Sequence, residues 1–156
     1  MNVIDESGIL AIATRLQRLA DQLRKEGLQI YKSYGIRFEP KWFPVVLTLH
    51  VKPLLSVMEI AAEIGYTHPS TISLLKELEK EKLIKSKKDK TDERKRLLQL
   101  TDKGEVLVKK MQPVWKVMVT AITAFTDTKN NLMKAIEEVE AELNRKNFFE
   151  RVELLK

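Results

Sequence analysis

The side chains of this sequence best suited to bind another molecule are basic, and they are concentrated between Lys85 and Arg96. This segment contains seven basic and three acidic residues, which gives it a local charge of +4. Lysine and arginine at this density attract polyanions, and the guanidinium of arginine matches the geometry of phosphate oxygens. A solvated hairpin explains part of the charge, because lysines often protect the edge strands of sheets. The segment is a candidate contact to a phosphate backbone.

Two short helices are predicted immediately before the basic segment. Ser56 and Glu59 have the spacing of a capping box, and Gly65 lies where the chain must leave the first helix. Thr67 or His68 can then cap the second helix. A pair of helices joined by so short a turn is typical of a helix-turn-helix.

The second helix has one apolar face and one face suited to a DNA groove. At about 100° per residue, one side carries Ile72, Leu75 and Leu78, together with Glu79. The other side is small and polar near the N-terminus and charged further on, which suits insertion between the phosphate walls of the major groove. The residues of this helix that we predict to contact DNA are His68, Pro69, Ser70, Thr71, Ser73 and Lys76.

The basic segment is predicted to be a β-hairpin, with strands at residues 85–88 and 96–100. We expect Asp89 and Asp92 to hydrogen-bond the turn and to hold Arg94 outward, where an arginine can enter a narrow minor groove. A helix-turn-helix followed by a basic hairpin is the order of a winged helix-turn-helix. The hairpin residues that we predict to contact DNA are Lys87, Lys88, Lys90, Arg94 and Arg96.

At this point the sequence resembles a known family. Its wing signature is similar to that of MarR-type regulators, with Lys90 at a position where proline is common. The signature reads Asp89-Lys90-Thr91-Asp92-Glu93-Arg94, then Leu98-Gln99-Leu100-Thr101-Asp102-Lys103-Gly104. Residues 38–44 and the run from Leu55 are similar to the regulator half of fusions with an acetyltransferase domain. The resemblance implies a transcription regulator, with repression the expected mode, that binds an inverted-repeat operator as a homodimer.

The resemblance also implies a small aromatic or anionic effector, bound between the dimerisation helices and the winged region. The candidates by position are Tyr31, Tyr34, Trp42, Phe43, His50, Trp115 and Met118. Aromatic residues at helical spacing more often belong to a hydrophobic core, and that alternative stays open.

The predicted fold is mainly α with a small β-hairpin: a winged helix-turn-helix flanked by N- and C-terminal dimerisation helices. We expect a single MarR-like domain over residues 1–156. The winged region covers 40–104, and the helical dimerisation region covers 5–34 and 105–156. Apolar stripes on the terminal helices favour a homodimer over packing within one subunit. These stripes contain Leu16, Leu19, Leu23, Ile136, Val139 and Leu143.

Composition argues against several other classes of protein. The net charge of +6 favours a polyanionic partner, and the absence of cysteine excludes disulfides and thiolate metal sites. The two histidines, His50 and His68, form no recognisable triad or metal cluster, so we expect no enzyme, cofactor or metal. The apolar runs are too short to span a bilayer, and we expect a cytoplasmic protein that binds no membrane.

Two alternatives to a DNA-binding regulator remain. The first is a winged-helix protein–protein module that has lost DNA binding, which a hairpin without lysine and arginine would have supported. The second is a regulatory fragment that serves an acetyltransferase in trans, which co-purification with such an enzyme would reveal. The basic hairpin favours the DNA-binding regulator.

Overall fold

The computed structural model describes residues 1–156, which form two compact units, Met1–Val114 and Trp115–Lys156. The helices are α1 (Val3–Glu6), α2 (Ile12–Ser33), α3 (Phe43–Val51), α4 (Val57–Ile64), α5 (His68–Lys80), α6 (Asp102–Thr126), α7 (Leu132–Arg145) and α8 (Phe148–Glu153). The strands are β1 (Leu55–Ser56), β2 (Ile84–Lys88) and β3 (Arg96–Leu100). The predicted fold class, mainly α with a winged helix-turn-helix, is confirmed.

The N-terminal helical region is divided into three pieces. Within the helical region expected over residues 5–34, α1 ends at Glu6, a 3-10 turn covers Gly8–Ala11, and α2 follows. The break occurs at Gly8, whose φ of 61° lies outside the right-handed helical region. Hydrophobic spacing alone could not place this break, because the apolar positions continue through it.

The helix-turn-helix begins with the predicted capping box. The Glu59 amide donates to Ser56 Oγ at 3.2 Å, and the Ser56 amide donates to Glu59 Oε1 at 3.0 Å. Gly65 ends α4 in the left-handed region, at a φ of 72° that costs a glycine little. Thr67, rather than His68, caps α5, since its hydroxyl accepts from the Ser70 amide at 3.2 Å.

The core of the first unit fixes the position of α5. Tyr31, Phe38 and Trp42 stack edge to face, with ring centroids 5.1 and 5.6 Å apart. Leu78 of α5 and Leu98 of β3 are fully buried. Burial of an apolar side chain of this size stabilises the fold by about 1.5–3 kcal/mol.

The sheet has three antiparallel strands in the order β1-β3-β2, so β3 is central. Leu98 pairs with Leu55 on one side and with Ser86 on the other. The two strands of the predicted hairpin are confirmed, but the sequence did not predict β1. A strand of two residues is too short to show the alternation of buried and exposed side chains that identifies strands.

The start of α6 lies against the end of α5. Thr101 Oγ1 accepts from the Gly104 amide at 3.0 Å and donates to the Lys82 carbonyl at 2.7 Å. A side chain at Gly104 would collide with the Leu83 carbonyl oxygen. The Leu-Thr-x-x-Gly pattern of the wing signature therefore has a packing reason, since only glycine allows this approach.

The second unit is formed by the end of α6 together with α7 and α8. Asn131 caps α7 by accepting from the Lys134 amide at 3.1 Å. Arg151 of α8 donates to the Glu142 carbonyl at 2.7 Å and so ties α8 to α7. None of the helices in the whole chain has the length and apolar character needed to cross a membrane.

Candidate nucleic-acid interface

The outward face of α5 carries short polar side chains followed by lysines. His68, Pro69, Ser70, Ser73 and Lys76 are all exposed, as expected for residues that enter a groove. The opposite face packs into the core through Leu75 and Leu78. The Thr67 cap fixes the first turn of α5, and the packed face holds the rest of the helix. The exposed residues therefore have fixed positions on the helix surface.

Thr71 is a correction to the predicted interface. Its side chain is fully buried, and its hydroxyl donates to the Thr67 carbonyl at 2.8 Å. Thr71 precedes Leu75 by four residues and Leu78 by seven, so all three lie on the packed face of α5. The prediction that Thr71 faces DNA is wrong.

The tip of the hairpin has the hydrogen bonds that the sequence predicted. Asp89 Oδ1 accepts from the Thr91 amide at 3.0 Å and from its hydroxyl at 2.9 Å, and these bonds lower the pKa of Asp89. Asp92 Oδ1 accepts from the Arg94 amide at 3.0 Å and from Arg94 Nε at 3.3 Å. The Arg94 side chain is 93% exposed. Both aspartates thus shape the turn, and the guanidinium extends into solvent.

The other predicted basic residues of the hairpin fall into two groups. Lys87, Lys88 and Lys90 are exposed. Arg96 instead donates through Nη2 to Glu79 Oε1 of α5 at 2.7 Å and to Ser86 Oγ at 2.9 Å. Arg96 therefore joins the hairpin to α5. The sequence had placed Glu79 with the apolar side of the helix, so this ion pair was not foreseen.

The opposite flank of α5 carries a second set of cations. Lys41 Nζ lies 2.9 Å from Glu77 Oε1, and Trp42 Nε1 donates to the same oxygen at 3.1 Å. The bond from Lys41 is the main reason that the pKa of Glu77 is lowered. Beside this pair is a cleft of about 370 Å³, which we call the basic cleft, lined by Arg24, Lys41, Tyr66, Ser70, Ser73 and Leu74. Sequence reasoning missed Arg24 and Lys41, which belong to no local run of charge.

The residues predicted to bind an effector do not form one described pocket. Tyr31 and Trp42 are buried in the aromatic core, which is the alternative that the sequence left open. Tyr34 is half exposed, and His50 Nδ1 lies 3.6 Å from Glu105 Oε2. The remaining three candidates are Phe43, which is half-buried, and Trp115 and Met118, which belong to the second unit. Neither the basic cleft nor a larger cleft of about 510 Å³ along α2 has any of the seven in its wall.

A capped helix with an exposed polar face, a preceding helix joined by a glycine turn, and a basic hairpin define the class of winged helix-turn-helix proteins. Residues 36–95 match the model of the MarR family. The match to this family model covers the helix-turn-helix and most of the hairpin, and similarity to the family is shown for that segment alone.

Solved structures share the fold over most of the chain. The repressor CouR, bound to a 23-mer DNA duplex, is 24% identical with a TM-score of 0.66, over 88% of this chain and 96% of that one. The M. tuberculosis regulator MOSR, in complex with DNA, is 19% identical with a TM-score of 0.72, over 86% and 98%. PcaV from Streptomyces coelicolor, in complex with its natural ligand, is 17% identical with a TM-score of 0.64, over 86% and 95%. No curated protein matches this sequence.

Proposed function

We propose that this chain is a homodimeric, sequence-specific DNA-binding regulator that represses transcription from an inverted-repeat operator. The observation that carries the proposal is the exposed polar face of α5, with a basic hairpin on one flank and the basic cleft on the other. The fold match to CouR and MOSR, whose structures contain DNA, supports the same function. Because the proposed partner is DNA, a cytoplasmic location is part of the proposal.

Within this proposal, the two kinds of exposed residue have different tasks. Ser73 and Lys76 of α5 contact base edges in the major groove and supply sequence preference. Arg94 at the hairpin tip enters the minor groove, and the hairpin lysines bind phosphates. These contacts raise the affinity for any duplex, since the backbone is the same in every sequence.

The homodimer is supported by apolar side chains that each unit leaves in solvent. On α2, Leu16 is 48% and Leu23 is 41% exposed, and on α7, Val139 is 55% exposed. Because each is about half exposed, burial of the exposed part against a second copy would contribute about 0.7–1.5 kcal/mol. Leu23→Glu should therefore lower the dimer fraction in sedimentation measurements. Leu54→Glu, at a comparably exposed leucine outside the proposed interface, should leave the dimer intact, and equal behaviour of the two variants would contradict this assignment.

A small aromatic or anionic effector and the absence of catalysis complete the proposal. The effector is supported by the fold match to PcaV with its natural ligand. Benzoate, which is both aromatic and anionic, is a suitable first probe, and release of the operator on its addition would support this part. No three histidine or acidic side chains are placed to hold a metal ion.

The experiment that tests the function compares two duplexes over a range of salt. One is the DNA upstream of the protein's own gene, since regulators often lie beside their targets, and the other is a random duplex of equal length. A specific regulator binds its operator about 10³-fold or more tightly than random DNA. Equal affinity for both duplexes at every salt concentration would contradict the proposal.

A further inference from the structure

We propose that the basic cleft binds a phosphate of the DNA backbone through Arg24 and Lys41, on the flank of α5 opposite the hairpin. This inference rests on the proposed function and extends it. It adds contacts from α2 and from the 3-10 turn Pro40–Trp42, neither of which belongs to the helix-turn-helix or the hairpin. The DNA phosphates on that side of the major groove would then have their own binding site on the protein.

The cleft is built from three parts of the first unit. Arg24 comes from α2, Lys41 from the 3-10 turn, and Ser70 and Ser73 from the exposed face of α5. The Trp42 indole, which donates to Glu77 at 3.1 Å, holds the 3-10 turn against α5. The two cations are therefore positioned by packing and by a hydrogen bond relative to the exposed polar face of α5, which contains Ser70, Ser73 and Lys76 and which we call the reading face.

The lining residues keep hydrogen-bond donors for an anion. Lys41 gives one contact to Glu77, and an ammonium group has three donors. The Arg24 guanidinium lies 3.9 Å from Asp21, beyond hydrogen-bond distance. Ser70 Oγ accepts from the Thr67 hydroxyl at 3.0 Å, which leaves its own hydrogen available to a phosphate oxygen.

The acids on this flank do not close the cleft to an anion. Glu77 and Asp21 each lie next to one of the two cations, and neither of them lines the cleft. The pKa of Glu77 is lowered chiefly by the bond from Lys41, so this carboxylate stays ionised at neutral pH and holds Lys41 in the lining of the cleft. Glu77 thus acts as an anchor for the cation.

The dimensions of DNA explain why both flanks of α5 should meet phosphates. An α-helix with its side chains is about 10–12 Å across, and the major groove is about 12 Å wide. At about 100° per residue, Ser70 and Glu77 lie on one flank of the reading face and Glu79 on the other. The hairpin is joined to α5 at Glu79, so it meets one phosphate wall. The basic cleft is on the Ser70 side and would meet the opposite wall.

The test compares Arg24→Ala with Lys25→Ala, which removes a neighbouring exposed charge outside the cleft. Each phosphate contact contributes about 0.9 to the salt slope of binding, so the loss of one contact per subunit lowers the slope of a dimer by about 1.8. We expect Arg24→Ala to show this loss on operator and random duplex alike. Lys25→Ala should keep the wild-type slope.

Arg24→Gln is the second variant, since it keeps most of the side chain on α2 while removing the charge, and it should give the same loss. Wild-type slopes in both Arg24 variants, with wild-type preference for operator retained, would overturn the inference but not the proposed function. A wild-type chain with no preference for operator would overturn the proposed function itself. Saturable binding of inorganic phosphate to the DNA-free protein, lost in Arg24→Ala while the DNA slope is unchanged, would identify a free-anion site and also overturn the inference.

Discussion

On one flank of α5 the cations belong to a hairpin, and on the other they belong to helical elements. The hairpin cations lie within one short segment, Lys87–Arg96, and the one at the tip, Arg94, is held by bonds within its own turn. The cations of the basic cleft are 17 residues apart, at Arg24 and Lys41, and the core brings them together. The tip of the hairpin can therefore vary with little effect on the core, whereas the cleft depends on the packing of α2.

Each flank is joined to α5 by one glutamate. Glu79 binds Arg96 at 2.7 Å, and Glu77 binds Lys41 at 2.9 Å. An acidic residue on a DNA-reading helix would repel phosphates if it stood alone. Here both acids pair with cations from neighbouring elements, and the helix keeps its reading face between two basic surfaces.

The largest expected effect is on sequence preference, which we assign to the reading face of α5. The two flanks are expected to contribute affinity without sequence preference. Lys76→Ala should reduce the ratio of operator to random affinity, because a good base contact is worth about 1–3 kcal/mol of discrimination. That corresponds to about 5- to 150-fold, measured by competition between the two duplexes. Arg94→Ala is the matched comparison and should leave the ratio nearly unchanged. If Arg94→Ala changed the ratio more than Lys76→Ala, the roles assigned to the face and the flank would be reversed.

The hairpin flank should show a smaller effect that is independent of sequence. Arg94→Ala should weaken binding to operator and random DNA together and lower the salt slope by about 1.8 per dimer, since its contacts are to the backbone and the minor groove. Lys129→Ala, which removes an exposed charge between α6 and α7, is the control for net charge. An unchanged salt slope in Arg94→Ala would mean that the hairpin makes no electrostatic contact.

Additivity between the flanks should be visible in one double variant. Arg24→Ala combined with Arg94→Ala should lower the salt slope by about the sum of the single losses, because the two flanks meet different phosphates. The measurement is the slope for the two single variants and the double variant on the same random duplex. If the double variant bound DNA no more weakly than Arg94→Ala, the two arginines would contribute to the same phosphate contact.

The smallest expected effect concerns the stability of the cleft flank and its dependence on pH. Because the pKa of Glu77 is lowered in the folded state, its ion pair with Lys41 stabilises the fold at pH values above the ordinary pKa of 4.5. This stabilisation is lost as the pH falls through the pKa that Glu77 has in the folded protein. Glu77→Gln should therefore lower the free energy of unfolding at pH 7, by less than about 1 kcal/mol as for other surface pairs. Urea unfolding should show the difference from wild type disappear at low pH, and a difference that grew with acidity would have the wrong sign.

The hairpin flank could be predicted from sequence and the cleft flank could not. The charge run, the turn aspartates and the capping box are local patterns, and each specifies its structure through hydrogen bonds within a few residues. Arg24 and Lys41 line one cleft only because α2 packs against the 3-10 turn Pro40–Trp42, which itself packs against α5. A single sequence contains no local signal for such a contact.

Two further differences between the sequence-based predictions and the structure concern the burial of side chains. Thr71 is a polar residue that the sequence predicts to contact DNA, but its hydroxyl is satisfied by the Thr67 carbonyl, which allows burial on the face of α5 that also carries Leu75 and Leu78. Tyr31 and Trp42 were candidates for an effector pocket and instead pack around Phe38. In both cases residue type alone did not determine whether the side chain is buried or exposed.

A hydroxyl-radical footprint of the wild-type chain on its operator tests the proposed function most directly. Two subunits related by a two-fold axis should protect two half-sites whose centres are about 34 Å apart, one turn of the duplex. Within each half-site, protection should extend over the phosphates on both sides of the major groove. A single asymmetric half-site, or protection confined to the hairpin side of the groove, would contradict the symmetric reading of DNA by α5 and its two basic flanks.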